Sequence, residues 1–287
     1  MAHATLQIAD LRVRYSGADS VVRAMHIPGM PEFAVPEAEP DIEVRLDEPL
    51  AAPDCQWIHR FDIADGNATC RVGLAPDGTY CYLFGSDSIL LYNELTPNLV
   101  RLNAMTEASH LRFALWVAYA MAGLRRGRVP VHSSVVVHRG RAVLCLGESG
   151  TGKSTHTRLW LKHIEGCHLL NDDSPIVALR DGVPTAYGSP WSGKTHCYRP
   201  EHYPIAALLR LEQRPENTIR RLGTLEAFTA LQPSCPPTFA KDERSMDLLC
   251  DFISDIIART PAYRLGCLPD EAAARLSHSS IYPSNHE

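Results

Sequence analysis

The chain has 287 residues, 45% of them hydrophobic, and a formal net charge of -5. That length supports one large globular domain or two modest ones, and mild acidity without a long basic run argues against nucleic acid as a partner. Nine cysteines with no Cys-x-x-Cys fit neither a zinc site nor a disulfide framework, and they read as reduced, packed thiols.

Met1 to Asp10 lacks the basic start and the apolar core of a signal peptide, so a soluble, cytoplasmic protein is expected. From there to Asn103 the sequence is strand-and-turn in character and reads as an antiparallel β region. Leu6, Ile8, Leu11, Val13 and Tyr15 alternate with one slip, and Ile58 to Ile63, Ala68 to Leu74 and Tyr80 to Phe84 follow as strands. Pro28 to Pro53 is a Pro- and acid-rich connection with one short strand, Ile42 to Leu46. Thr106 is placed to cap a helix with apolar positions Leu111, Leu115, Ala118 and Met121. Its apolar run to Leu124 is too short to span a bilayer, which takes ~20 residues.

The second half changes character. Val135 to Val137 and Arg141 to Leu146 read as short buried strands, and the latter runs into a glycine-rich loop and then a helix from Lys153 to Ile164. Cys167 to Leu170 is a strand leading to Asp172-Asp173, and Ile176 to Leu179 is another. Ile205 to Leu211 and Thr218 to Leu222 are strands. Helices follow at Leu225 to Leu231 and Met246 to Ala258, then a strand at Ala262 to Leu265 and a helix from Asp270 to Leu276. The organisation expected is a β-rich region over 1–103 and a nucleotide-binding domain over 104–287.

The loop meets the pattern G-x-x-x-x-G-K-[ST] at Gly147, Gly152, Lys153 and Ser154. Glycines let backbone N–H groups turn toward phosphate oxygens, and the helix starting there points its positive end at the same anion. The whole stretch Gly147, Glu148, Ser149, Gly150, Thr151, Gly152, Lys153, Ser154 and Thr155 is therefore expected to hold a nucleoside triphosphate. Lys153 would supply a charge for the β- and γ-phosphates and Ser154 a hydroxyl for Mg²⁺. A strand before and a helix after separate it from a turn that happens to carry Lys-Ser. Asp172 and Asp173 stand 19 and 20 residues after Lys153. Adjacent carboxylates at a strand end repel unless a cation shares them, which makes both candidates for Mg²⁺ and for proton transfer; an Asx turn before Pro175 is the bland alternative. His132 enters the strand next to the loop, near enough to steer a proton. Gly188 to Thr195, with Lys194 and then Arg199, is a second glycine- and hydroxyl-rich stretch that could add cations to a phosphate.

The order His132, loop, Asp172-Asp173 resembles the catalytic domain of HPr kinase/phosphorylase and its kinase-like relatives, a fold class that includes ATP-dependent phosphoenolpyruvate carboxykinase. It covers 106–173 and, more weakly, 187–211 and 265–281. The resemblance implies an α/β fold of mixed α+β kind, a P-loop domain on a mixed β-sheet. It also implies a kinase using ATP and Mg²⁺, with Lys153 and Ser154 serving nucleotide and metal, His132 in the active site, and Asp172 and Asp173 sharing the roles of base and metal contact. The acceptor would be a hydroxyl of a protein, peptide or small molecule; a homo-oligomer is left open, and neither nucleic acid nor membrane is expected as a partner. Glu148 and Thr155 depart from the HPr kinase loop, and no counterpart of that enzyme's downstream phosphate-removing loop is evident, so neither HPr nor the phosphorylase reaction carries over. Carboxykinase-like transfer and a non-catalytic nucleotide switch are the alternatives.

Overall fold

In the computed structural model, which describes residues 2–63, 68–193, 195–237 and 243–283, the slip between Ile8 and Leu11 is a reverse turn. Strands β1 (Ala2–Ile8) and β2 (Leu11–Gly17) pair as a hairpin with Ile8 opposite Leu11, and Ala9 takes a left-handed φ of 54°. Helix α1 (Asp19–Met25) then precedes β3 (Ala34–Val35), β4 (Ile42–Arg45), β5 (Gln56–Ile63), β6 (Ala68–Leu74), β7 (Thr79–Phe84), β8 (Ser88–Asn93) and β9 (Leu99–Leu102). Their sheet has the order β3-β1-β2-β4-β9-β8-β7-β6-β5. It is mixed rather than antiparallel throughout, because β4 runs parallel to both β2 and β9. The long connections on each side of β4, the first carrying α1, make those crossovers, which a tight turn cannot do.

Helix α2 (Ala108–Leu124) is apolar nearly all round and correspondingly buried. It belongs with the first sheet, where the Tyr119 hydroxyl donates to the Ile8 carbonyl (3.3 Å). The chain divides into two compact units, one of Met1–Arg126 with Ala240–Ser245 and another of Gly127–Phe239 with Met246–Glu287, so the boundary falls after α2 and not before it.

The second unit holds β10 (Val129–Pro130), β11 (Ser133–His138), β12 (Arg141–Leu146), α3 (Lys153–His163), β13 (His168–Asp173), β14 (Ile176–Arg180), β15 (Val183–Tyr187), β16 (His202–Gln213), β17 (Thr218–Arg221), α4 (Thr224–Leu231), α5 (Glu243–Arg259, from Met246 onward), β18 (Ala262–Cys267) and α6 (Glu271–Ile281). Its sheet runs β10-β14-β15-β16-β12-β11-β13, with β18 pairing β16 and β17 beyond it. β12, β16 and β18 are parallel to one another, while β11 is antiparallel to β12 and β13. Alternate residues of the central strands (Val143, Cys145, Leu209, Leu211, Leu265) pack with Trp160 of α3 and Ala274 of α6 in one core. Asp270 caps α6 by accepting from Ala273 N (2.9 Å). The architecture is mixed α/β with two mixed sheets. Among the described residues no helix is long and apolar enough to cross a membrane.

Candidate functional site

Three of the loop glycines have positive φ: Gly147 (157°), Gly150 (81°) and Gly152 (100°). A Cβ at Gly147 would lie 2.3 Å from Thr151 Oγ1, so the loop closes tightly only with glycine there. Thr151 fastens the turn, its hydroxyl donating to the Glu148 carbonyl (2.8 Å). Gly152 is the residue before α3, and the first turn of α3 carries no acid, which leaves its positive end uncompensated from within. Lys153, the first residue of α3, curls back into the loop and donates from Nζ to the carbonyls of Gly147 (2.9 Å) and Glu148 (3.2 Å). The ammonium is thus inside the ring that the loop describes.

Three carboxylates and an imidazole surround that ammonium. Burial pushes the Lys153 pKa down; Asp173 first, then Glu148 and Asp172, oppose the shift, while the nearby Arg210 adds to it. His132 Nε2 is 3.6 Å from Asp173 Oδ1. Its pKa is also lowered, by burial and then by the charge of Lys153, against the pull of Asp173 and Glu148. The imidazole is therefore neutral near pH 7, available to donate or accept a hydrogen bond. Backbone bonds fix its entry into β11, from Val131 N to the Pro175 carbonyl (3.0 Å) and from His132 N to the Ser234 carbonyl (2.7 Å).

Asp172 and Asp173 end β13, which runs three residues beyond the apolar stretch that ends at Leu170. They differ sharply. Asp172 is buried, 4% exposed, whereas the Asp173 side chain is 48% exposed. Asp173 also has a φ of 157°, a backbone that residues with a Cβ rarely adopt and that recurs where surrounding structure holds a functional group in place. The surrounding structure here is the segment from Gly188 to Gly193. Ser192 bridges to Asp173, and Gly193 N donates to the Asp172 carbonyl (2.6 Å). A Cβ at Gly193 would meet that same carbonyl oxygen at 2.9 Å. Beneath it, the fully buried Asn171 donates to the carbonyls of Ser189 and Trp191 and accepts from Ser174 N (2.9 Å).

The second glycine-rich stretch therefore lies against the aspartates. Lys194 falls outside the described residues. Arg199 is not brought to the loop: its guanidinium meets Glu201 (3.5 Å), which in turn meets His168 at the opposite end of β13 (3.8 Å). Five residue steps along that strand separate His168 from Asp173, about 16 Å. The cation that the structure does bring to the loop is Arg210 of β16, whose Nη2 donates to Glu148 Oε1 (3.0 Å). Its register partner on β12 is Leu146, the residue before the loop. A lone arginine in the apolar run Ile205 to Leu211 was the available signal, since a charge inside a buried strand needs a reason.

Mg²⁺ fits this donor set. It is commonly held by one or two carboxylates while phosphates and water supply the remaining oxygens. Among the described residues no group of three or more His, Cys, Asp or Glu could form a metal cage made of protein alone. Asp172, buried beside Lys153, and the Ser154 hydroxyl in the first turn of α3 are the residues suited to such shared coordination.

No family model and no curated protein matches the chain. Among solved structures it is similar to the HPr(Ser) kinase/phosphatase from Coxiella burnetii, at 12% identity and a TM-score of 0.31, over 53% of this chain and 93% of that one. A likeness of that size supports no inference.

Proposed function

We propose that the protein is an ATP-dependent phosphotransferase acting on a hydroxyl, of HPr kinase-like type on a P-loop fold. The observation that carries this is the Lys153 ammonium inside the glycine loop with Asp172, Asp173 and the neutral His132 gathered around it. Backbone N–H groups of Gly147 to Gly152 and the N-terminus of α3 would bind the β- and γ-phosphates, with Lys153 offsetting their charge. Mg²⁺ held by Ser154 and Asp172 would neutralise charge developing on the phosphates. Asp173, half-exposed, is the carboxylate an acceptor can reach, and it takes the hydroxyl proton as the oxygen attacks. A new O–P bond then forms to the acceptor, the bond from the γ-phosphorus to the bridging oxygen breaks, and ADP leaves. His132, neutral near pH 7 and with Nε2 3.6 Å from Asp173 Oδ1, is placed to orient the transferring group.

An adjacent pair of aspartates, one buried and one exposed, divides these tasks in a way that a simple nucleotide switch does not require. The deciding experiment supplies γ-labelled ATP and Mg²⁺ with a cell extract. Labelling of an acceptor by the wild-type chain and not by Lys153→Met is expected. Tight ATP binding with no transfer to any acceptor would leave only the non-catalytic switch.

A further inference from the structure

One register row crosses the second sheet at the level of the loop. Asp173 of β13 pairs with Ser133 of β11, Ser133 with Leu146 of β12, Leu146 with Arg210 of β16, Arg210 with Arg264 of β18, and Arg264 with Arg220 of β17. Residues in register share a face of the sheet, and neighbouring strands lie ~4.8 Å apart. Leu209, Leu211 and Leu265, which alternate with this row, face α3 and α6, so the row faces the other way. The loop leaves the sheet from the middle of the row, with the exposed aspartate two strands to one side and three arginines on consecutive strands on the other.

Like charges placed side by side in a sheet are destabilising, and here each arginine has a glutamate to offset it. Arg210 meets Glu148 (3.0 Å), Arg264 meets Glu212 (3.3 Å) and Arg220 meets Glu226 (2.9 Å). The compensation is incomplete. Arg210 Nη1 and Arg264 Nε are buried and have no hydrogen-bond partner among the described residues. Beside Arg264 a cavity of about 460 Å³ opens, walled by Glu212, Thr218, Arg220, Arg264 and Gly266. That volume lies within the range of small-molecule sites, roughly 300–1,000 Å³. The end of β16 that supplies Glu212 to the cavity wall is held to the loop by the next residue, Gln213, whose Nε2 donates to the Gly150 carbonyl (3.1 Å).

In-line transfer fixes a direction along this row. The attacking oxygen and the departing ADP stand on opposite sides of the γ-phosphorus. With the acceptor deprotonated at Asp173, the rest of the nucleotide must extend the other way, across β16 toward β18. We infer that Arg210 binds the phosphate chain and that the cavity between β16, β18 and β17 holds the nucleoside, with Arg264 along the base and Glu212 accepting from the ribose hydroxyls. This rests on the phosphotransferase reading, because it is the position of the base that sets the direction. Arginine suits the task, being planar, permanently charged and able to stack on an aromatic ring while donating at its edge.

The test compares two probes on the full chain, ATP and inorganic tripolyphosphate, by equilibrium titration. Wild type is expected to bind ATP more tightly than tripolyphosphate. Arg264→Met should weaken ATP by roughly 3- to 30-fold, the range for a cation on an aromatic face, and leave tripolyphosphate unchanged. Arg210→Met should weaken both. Gly266→Val, which adds bulk to the cavity wall where a Cβ already meets Arg214 Cγ at 2.8 Å, should act like Arg264→Met. Thermal unfolding without nucleotide confirms that each variant is folded, and Arg264→Met carries the test if Gly266→Val is not. Equal effects of Arg264→Met on both probes, or none on ATP, would overturn the nucleoside site, including the outcome in which only an acceptor's KM rises. Failure of wild type to bind either probe would instead remove the phosphate-loop reading beneath it.

Discussion

At the residue scale, Asp172 and Asp173 are neighbours in sequence with opposite surroundings, and that difference separates their roles. Asp172 is buried close to Lys153, and Asp173 is exposed beside His132. Asp173→Asn keeps the shape and removes the base, so turnover should fall by about 10²- to 10⁴-fold, the range for a general base, with ATP affinity little changed. Asp172→Asn should instead weaken the Mg²⁺ dependence, so that half-maximal activity needs more Mg²⁺. Initial rates over a Mg²⁺ series distinguish the two; the reverse pattern would exchange the assignments. Sequence reading reached both aspartates through their spacing from Lys153, but it could not rank them, because burial is decided by the Gly188 to Gly193 segment folding back on β13. Arg199 was a candidate for the same reason of charge and proximity in sequence. Its guanidinium instead meets Glu201, two residues along the chain (3.5 Å).

At the scale of elements, α3 is held to α6 by a buried polar contact. His156 Nε2 lies 3.0 Å from Ser277 Oγ and 3.2 Å from Trp160 Nε1, and His156 is 3% exposed. Burial pushes the His156 pKa down to about 4, from an ordinary value near 6.5. Between those values the unfolded chain binds a proton that the folded chain does not. Stability from this group is therefore full above about pH 6.5 and is lost as the pH falls toward 4, by roughly 3 kcal/mol. His138 and His278, also lowered by burial, act in the same direction. Urea midpoints from pH 7.5 to 4.5 should fall more steeply for wild type than for His156→Gln, and parallel curves would show that the contact does not titrate. Most elements of this unit were legible, β12 to the residue, because their apolar runs are bounded by turn chemistry. β15 was not, since Val183-Pro-Thr-Ala-Tyr187 contains a proline and too little alternation. The hairpin of β1 and β2 was read as one run because the Ala9-Asp10 turn shows in the sequence only as a single slip in the apolar alternation.

At the scale of the whole molecule, the boundary after Arg126 separates two cores that are complete by themselves. Leu6, Ile8, Ile42, Val44, Phe84 and Val100 are fully buried in the first, and Val143, Cys145, Trp160, Leu209 and Leu265 in the second. The sequence suggested a division near Asn103 because strand character stops there, but α2 is apolar on nearly every side and needs the first sheet for burial. A chain beginning at Gly127 should therefore fold and bind ATP within about 3-fold of the full protein, because every residue of the candidate loop, the aspartate pair and the arginine row lies in the second unit. Such a chain also frees Ala240–Ser245 from the first unit, where Arg244 meets Glu94 at 3.3 Å. That ion pair is on an exposed arginine and its loss should cost under about 1 kcal/mol. If the first unit selects the acceptor, the shortened chain should retain ATP affinity and lose acceptor labelling. Titration with ATP and labelling with γ-labelled ATP on the same preparation separate the two effects: unchanged labelling would assign acceptor choice to the second unit, and a folded fragment unable to bind ATP would show that residues before Gly127 complete the nucleotide site.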